Sequence, residues 1–259
     1  TDPIAEWYMT PLSLEDWIAG GSMLLLCAIF IPLTAFLAYI MYQSDKEIIG
    51  YRYLVSSSIA DCLVMAQYGG ILGVSILTKN PLAINEDGRS ALQLYIDWVW
   101  FAFCLHYPLI AWSRFAAIKS PLLFCEQERW QSYIICLIPY VLAWIMACST
   151  HWQSFYVVFY FEPAVYGMLA EDFPKWAIFI LVRDRKINGI AGVSRGRMTV
   201  EKRLMIPCIL GNIIFVLGQV AITIGTGTGK WASWLICFLF FINSAANCIL
   251  LVAFSPNLR

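Results

Sequence analysis

Residues 17–42, 204–229 and 231–258 contain no Asp, Glu, Lys or Arg. A helix rises 1.5 Å per residue and needs about 20 apolar residues to cross the hydrocarbon core of a bilayer, so each stretch is long enough to span it. Three more runs follow the same pattern. Residues 53–78 are interrupted only by Asp61, residues 91–118 by Asp97 and Arg114, and residues 132–149 form a shorter run with no charge. Composition agrees: 60% of the 259 residues are hydrophobic and 13% charged, with a mean hydropathy of +0.70. Soluble domains are about a quarter charged, and this chain has too few charges to cover a soluble surface. A net charge of zero and a pI near 6.6 give no reason to expect a nucleic-acid partner. The expected fold class is an all-α membrane protein.

The basic residues set the expected sidedness. Residues 1–18 carry Asp2, Glu6, Glu15 and Asp16 and no Lys or Arg, which places that end outside under the positive-inside rule. Lys46 and Arg52 then fall inside, Lys79 and Arg89 outside, and Arg114, Lys119 and Arg129 inside. Seven basic residues lie within 183–203 (Arg183, Arg185, Lys186, Arg195, Arg197, Lys202 and Arg203) and belong inside as well. Six spans would leave that loop outside, so a fifth span is required within 152–182, and thirteen of the seventeen Lys and Arg then lie inside. The sequence there is a poor span: Glu162 and Pro163 interrupt 152–170, and 175–182 is too short. The expectation is one seven-transmembrane domain over 1–259, with spans at about 19–42, 53–78, 91–118, 132–149, a truncated or atypical fifth within 152–182, 204–224 and 231–254. A re-entrant segment is the alternative for the fifth. The acidic amino-terminal residues lack the basic region of a secretory signal peptide. A chain running from Thr1 to Arg259, just past a span, reads as part of a longer one.

Ionisable groups at membrane depth are costly and point to function. Asp61 lies eight residues into the second span, about 12 Å deep, and Asn247 lies about 10 Å from the inner end of the last, so the two are placed at similar depth. Asp97 and Arg114 stand 17 residues, or about 25 Å, apart on the third span. Asp97 belongs near the outer face and Arg114 near the inner face.

Ser58-Ile59-Ala60-Asp61-Cys62-Leu63-Val64 resembles the second-helix motif of rhodopsin-like G-protein-coupled receptors. Leu109-Ile110-Ala111-Trp112-Ser113-Arg114-Phe115-Ala116-Ala117-Ile118, followed by Pro121, resembles the end of their third helix. Ile242-Asn243-Ser244-Ala245-Ala246-Asn247-Cys248, running to Phe254-Ser255-Pro256-Asn257-Leu258-Arg259, resembles the seventh-helix ending. With His106, the third-helix segment looks most like the nematode serpentine chemoreceptors of the Srx and Srt type. The sequence departs from the family where Trp112-Ser113 replaces the acidic residue before the arginine, Phe115 the tyrosine after it, and Cys248 and Leu251 the proline and tyrosine of the seventh-helix motif. The first-helix asparagine, the sixth-helix Cys-Trp-x-Pro motif and the disulfide from the top of the third helix are also missing.

Other chemistry finds little support. Eight of the nine cysteines lie in apolar runs and read as small hydrophobes, and Cys125 falls in an inner loop. The glycine-rich run 224–230 lacks the glycine spacing and the Ser or Thr of a phosphate loop. His106 and His151 have no Cys/His cluster around them, so neither metal nor cofactor is expected. No Asn-x-Ser/Thr sequon and no nucleophile–base pair is present, so the chain does not read as an enzyme. A small multi-pass transporter remains an alternative, although internal repeats and broken helices are not evident, as does a non-signalling, divergent or truncated receptor.

The resemblance implies a plasma-membrane chemosensory receptor, N-terminus outside, in sensory neurons, that binds a small external ligand and activates a heterotrimeric G protein. Aromatic residues with a few polar groups in the outer halves of the spans mark the expected ligand site: Tyr68, Asp97, Trp98, Trp100, Phe101 and Gln219. Asp61, Asn243 and Asn247 are expected to form a polar hub. Arg114, Glu201, Lys202 and Arg203 are expected to serve G-protein coupling, with Arg114 paired to Glu201 in the inactive state.

Overall fold

The computed structural model describes residues 3–80, 86–151, 159–170 and 229–254. A short helix α1 (Pro3–Met9) leads into α2 (Leu14–Gln43). The start of α2 is fixed by a capping box: Ser13 Oγ accepts from the Asp16 amide at 3.2 Å, and the Asp16 carboxylate accepts from the Ser13 amide at 2.7 Å. The second span runs from α3 (Gly50–Met65) through a π-helical turn (Ala66–Ile71) into α4 (Leu72–Thr78). It stops at Lys79, whose left-handed backbone (φ 50°) ends the helix. The third span is α5 (Glu86–Lys119), followed by α6 (Pro121–Cys125), which has its proline in the first turn, where no amide donor is needed. The fourth is α7 (Arg129–His151), and α8 (Lys230–Phe254) is the last described element.

Five helices are thus long and apolar enough to cross a membrane among the described residues. They cover the expected spans 19–42, 53–78, 91–118, 132–149 and 231–254, and the first, third and fourth start three to five residues before the expected bounds and end one or two residues after them. Polar first and last turns account for the difference, because a helix continues beyond the hydrocarbon while its apolar signal stops there. Outward residues such as Leu25, Ile29 and Phe36 on α2, or Ile134, Val141 and Ile145 on α7, are apolar and exposed, as lipid-facing surfaces are.

Within 152–182, where the atypical fifth span is expected, the described residues are not α-helical. Residues 159–170 form an antiparallel hairpin, β1 (Phe159–Glu162) and β2 (Gly167–Ala170), with Glu162 opposite Gly167 and Phe159 opposite Ala170. Pro163 opens a tight turn over Pro163–Val165, and Tyr166 closes it with φ 55°. Proline removes a backbone donor and breaks a helix interior, but it suits the first position of such a turn. The remainder of 152–182 and the expected span 204–224 lie outside the described residues.

Two close approaches bind the bundle at this end. A Cβ on Gly20 would stand 2.8 Å from Leu77 Cγ and 3.1 Å from the Gly73 carbonyl, so α2 and α4 meet backbone to backbone. A Cβ on Gly69, within the π turn, would stand 2.5 Å from Cys27 Sγ and 2.9 Å from the Phe241 ring, so only glycine lets spans one, two and seven converge there. The hairpin and α1 sit together at one end of the bundle, and Arg114 and the α3 start lie at the other.

Candidate functional site: a lid, an aromatic cluster and a polar hub

The hairpin is fastened to the bundle by buried carboxylates. Asp16, 1% exposed, takes hydrogen bonds on Oδ1 from the Trp7 indole at 3.0 Å and from the Tyr166 hydroxyl, and on Oδ2 from the Ser13 amide. A buried carboxylate is tolerated when its acceptor sites are filled in this way. Burial and the neighbouring Asp16 carboxylate both push the Tyr166 phenol well above the usual tyrosine range, so it stays a donor. Glu162 in turn accepts from the Tyr8 hydroxyl at 2.8 Å and the Ala164 amide at 3.2 Å. Lys79 Nζ reaches the carbonyls of Trp7 (2.5 Å) and Thr10 (2.7 Å) and lies 4.2 Å from the centre of the Trp7 ring. Helix α1 and the hairpin are therefore one connected lid over the helix ends.

Beneath it lies an aromatic cluster. Phe161 of β1 meets Tyr68 edge-on at 6.2 Å, and Tyr68 stacks on Phe240 of α8 at 4.8 Å. Trp100 of α5 meets Phe240 edge-on at 4.9 Å. Tyr68 and Trp100 are thus brought together, through the ring of Phe240. Asp97 is half-buried one turn before Trp100 and accepts from Gln93 Nε2 at 2.9 Å. Trp98 faces elsewhere. Its indole donates to the Tyr140 carbonyl at 3.0 Å and its ring packs on Tyr140 and Trp144, so it belongs to the contact between spans three and four. Phe101, three residues on, is half-buried on that same side of α5. Gln219 lies outside the described residues.

Further down, Asn247 Nδ2 donates to Asp61 Oδ1 at 3.0 Å, and Asn243 Nδ2 donates to the Tyr107 hydroxyl oxygen at 3.2 Å. Asp61 is 2% exposed and lies about 16 Å along the helix from Gly50. Asn243 and Asn247, one turn apart, present both amides toward spans two and three.

No family model matches the sequence, and no curated protein matches it. The crystal structure of squid rhodopsin superposes with a TM-score of 0.68, covering 100% of this chain and 82% of that one at 12% sequence identity. The chain has a rhodopsin-like fold. At that identity the likeness is one of backbone architecture, a seven-helix membrane bundle, and the side chains must be read on their own.

At the far end of this rhodopsin-like bundle Arg114 is 7% exposed, and its guanidinium rests over the start of α3: a Cβ on Gly50 would stand 2.6 Å from Arg114 Nη1. Arg114 Nε has no hydrogen-bond partner among the described residues. Glu201, Lys202 and Arg203 lie outside them. Beside Arg114 is a cluster that sequence reasoning missed. Asp45, fully buried, accepts from Arg129 Nε at 2.9 Å and from the Tyr133 hydroxyl at 2.8 Å. Arg52 donates to the Asp45 carbonyl at 3.2 Å, to the Gln127 carbonyl at 3.1 Å and to Ser132 Oγ at 3.0 Å. Arg52 and Arg129 entered the sequence reading only as topological charges, yet they tie the loop after α2 to the starts of α3 and α7. In the sequence His106 stands out as part of the third-helix motif and as a histidine without a metal cluster around it. Its Nδ1–H donates to the Ala102 carbonyl at 2.7 Å, leaving Nε2 to accept from the Ser56 hydroxyl at 2.9 Å. Of the missed lid residues, only Asp16 carried a local signal, the Ser13-x-x-Asp16 capping pattern.

Proposed function

We propose that this chain is a G-protein-coupled chemosensory receptor of the plasma membrane, N-terminus outside, related to the nematode serpentine chemoreceptors. In this reading a small external ligand binds beneath the lid, against Tyr68, Trp100 and Asp97, with Gln219 contributed by span six and Trp98 and Phe101 shaping the wall from behind. Asp61, Asn243 and Asn247 bias two packings of the bundle. Arg114, with Glu201, Lys202 and Arg203, couples the inner ends to a heterotrimeric G protein. The observation that carries the reading is the stacking order within one rhodopsin-like bundle: a lid, an aromatic cluster with a carboxylate nearby, a buried carboxylate–amide hub, and an arginine at the opposite end. Ligand sites combine aromatic walls with a few placed polar groups, and a switch needs contacts that differ between two states.

The test is heterologous expression with a G-protein reporter and a panel of small volatile and water-soluble compounds. The expected result is a response to a subset of compounds that Asp97→Asn and Trp100→Ala abolish at unchanged surface level. Responses that survive both substitutions would remove the proposed site. Substrate accumulation in vesicles with no G-protein response would favour a small transporter instead.

A further inference from the structure

Spans three and seven face each other along matched stripes. On α5, Trp100, Phe103 and Tyr107 follow one another at three- and four-residue spacing, and on α8 so do Phe240, Asn243 and Asn247, which places each set on one face of its helix. Trp100 meets Phe240 at the lid side of this seam. Trp100 also packs on Phe103 at 5.9 Å, and Phe103 meets Tyr107 edge-on at 5.2 Å. The Tyr107 hydroxyl oxygen then takes the Asn243 amide, four residues before the Asn247 that donates to Asp61. The rings from the lid to the hub are therefore in continuous contact, and the last link is directional. Ring contacts slide at little cost, whereas a hydrogen bond weakens steeply with distance and angle. The Asn243 carbonyl oxygen is buried without a partner among the described residues, so the bond to Tyr107 is a large part of what orients that amide.

We propose that Tyr107 is a positioning residue: its hydroxyl transmits the packing of the aromatic cluster under the lid to the Asp61–Asn243–Asn247 hub. The inference rests on the receptor reading for its purpose, but the coupling is a property of the bundle and is measured without ligand or G protein. Spatial contact alone does not establish coupling, so the test is a cycle of substitutions read at a distant reporter.

The full chain is placed in lipid nanodiscs with Cys125→Ser, and a trifluoromethyl label is attached at Ile249→Cys. Ile249 is exposed on α8, two residues past Asn247. The fluorine spectrum is recorded for Tyr68→Ala and Phe161→Leu, each with Tyr107 and with Tyr107→Phe, which keeps the ring and removes the hydroxyl. With Tyr107 present, either substitution under the lid shifts the label's populations. With Tyr107→Phe the same substitutions give a shift about threefold smaller or none, a non-additivity that a merely structural role would not produce. Equal shifts with and without the hydroxyl overturn the proposal, as does the absence of a shift in both backgrounds for whichever lid-side variant folds. A chain that passes this test yet activates no G protein with any compound loses the receptor reading and keeps the coupling.

Discussion

The carboxylate of Asp16 and the hydroxyl of Tyr166 meet across 150 positions of sequence in a buried hydrogen bond. Tyr166→Phe removes one donor and leaves Asp16 its other two, so it is expected to lower stability by about 1 kcal/mol. Asp16→Leu strands the Trp7 and Tyr166 donors together and is expected to cost about 1–3 kcal/mol for each group left unpaired. Thermal unfolding in detergent gives the order, and proteolysis within 159–170 shows whether the hairpin has come loose. Equal stability of both variants and the parent would show that the lid is held by other contacts.

Two adjacent glycines of the second span form a controlled pair. Gly69→Ala forces a methyl group to within 2.5 Å of Cys27 Sγ and 2.9 Å of Phe241, whereas a Cβ on Gly70 meets nothing within 4 Å. Overpacking of this kind costs about 1–3 kcal/mol. Gly69→Ala is therefore expected to lower the unfolding temperature clearly while Gly70→Ala leaves it unchanged or slightly raised, and matching temperatures would contradict the close approach.

Gly50→Ala tests Arg114 without touching it. The added methyl group lands 2.6 Å from Arg114 Nη1, the far end of a long flexible side chain that can swing away. Little stability is lost, but the guanidinium is displaced from its place over α3. Under the proposed function this variant is expected to raise ligand-free G-protein activation, as is Glu201→Gln, while Arg114→Ala abolishes activation and leaves ligand binding intact. Unchanged basal signalling in both, with normal coupling in the third, would mean that Arg114 only marks the membrane boundary.

Asp45 predicts an ordering rather than a single value. Its side chain is fully buried, Arg52 is 7% exposed and Arg129 is 38% exposed. Removing one partner of a buried charged group costs far more than removing an exposed one. Surface yield and thermal stability are expected to fall most for Asp45→Ala, less for Arg52→Gln and least for Arg129→Gln. A larger loss for Arg129 than for Arg52 would reverse the reading of which cation matters.

At the hub, Asp61→Asn keeps an acceptor for Asn247 but removes the ionisable group. It is expected to fold and reach the surface, and to shift the balance between basal and ligand-driven signalling. A variant that matched the parent in surface level, basal signal and response would end the switching role of the hub.

Much of the architecture was legible because hydrocarbon imposes a length: 19–42, 53–78, 91–118, 132–149 and 231–254 all fall within described helices once polar end turns are added. Asp61 and Asn247, which helix rise puts at similar depth, are joined by a hydrogen bond. What sequence spacing does not carry is the direction of a side chain relative to a distant partner. Trp98 and Trp100 are two residues apart and equally aromatic, yet one faces span four and the other span seven. Phe240, Phe161 and Tyr107 looked like ordinary apolar positions until the folded chain brought them into one seam. Asp45 looked like a loop charge, and Glu162 and Pro163 like flaws in a span, although in the fold they belong to a hairpin turn.

The π turn at Ala66–Ile71 has a consequence for how this span can change over generations. An α-helix advances about 100° per residue, and a π turn holds one residue more than the α-helical path needs. It is in effect an insertion that the helix has absorbed without breaking. Deleting a single residue there would restore an unbroken α-helix and leave Gly73 and Lys79 in nearly their present orientation relative to Asp61, whereas the same deletion in the α-helical part of the span would turn them by about 100°. The span can therefore lose a residue at this turn and keep both the hub and the lid anchor in place, a tolerance that its α-helical stretches lack.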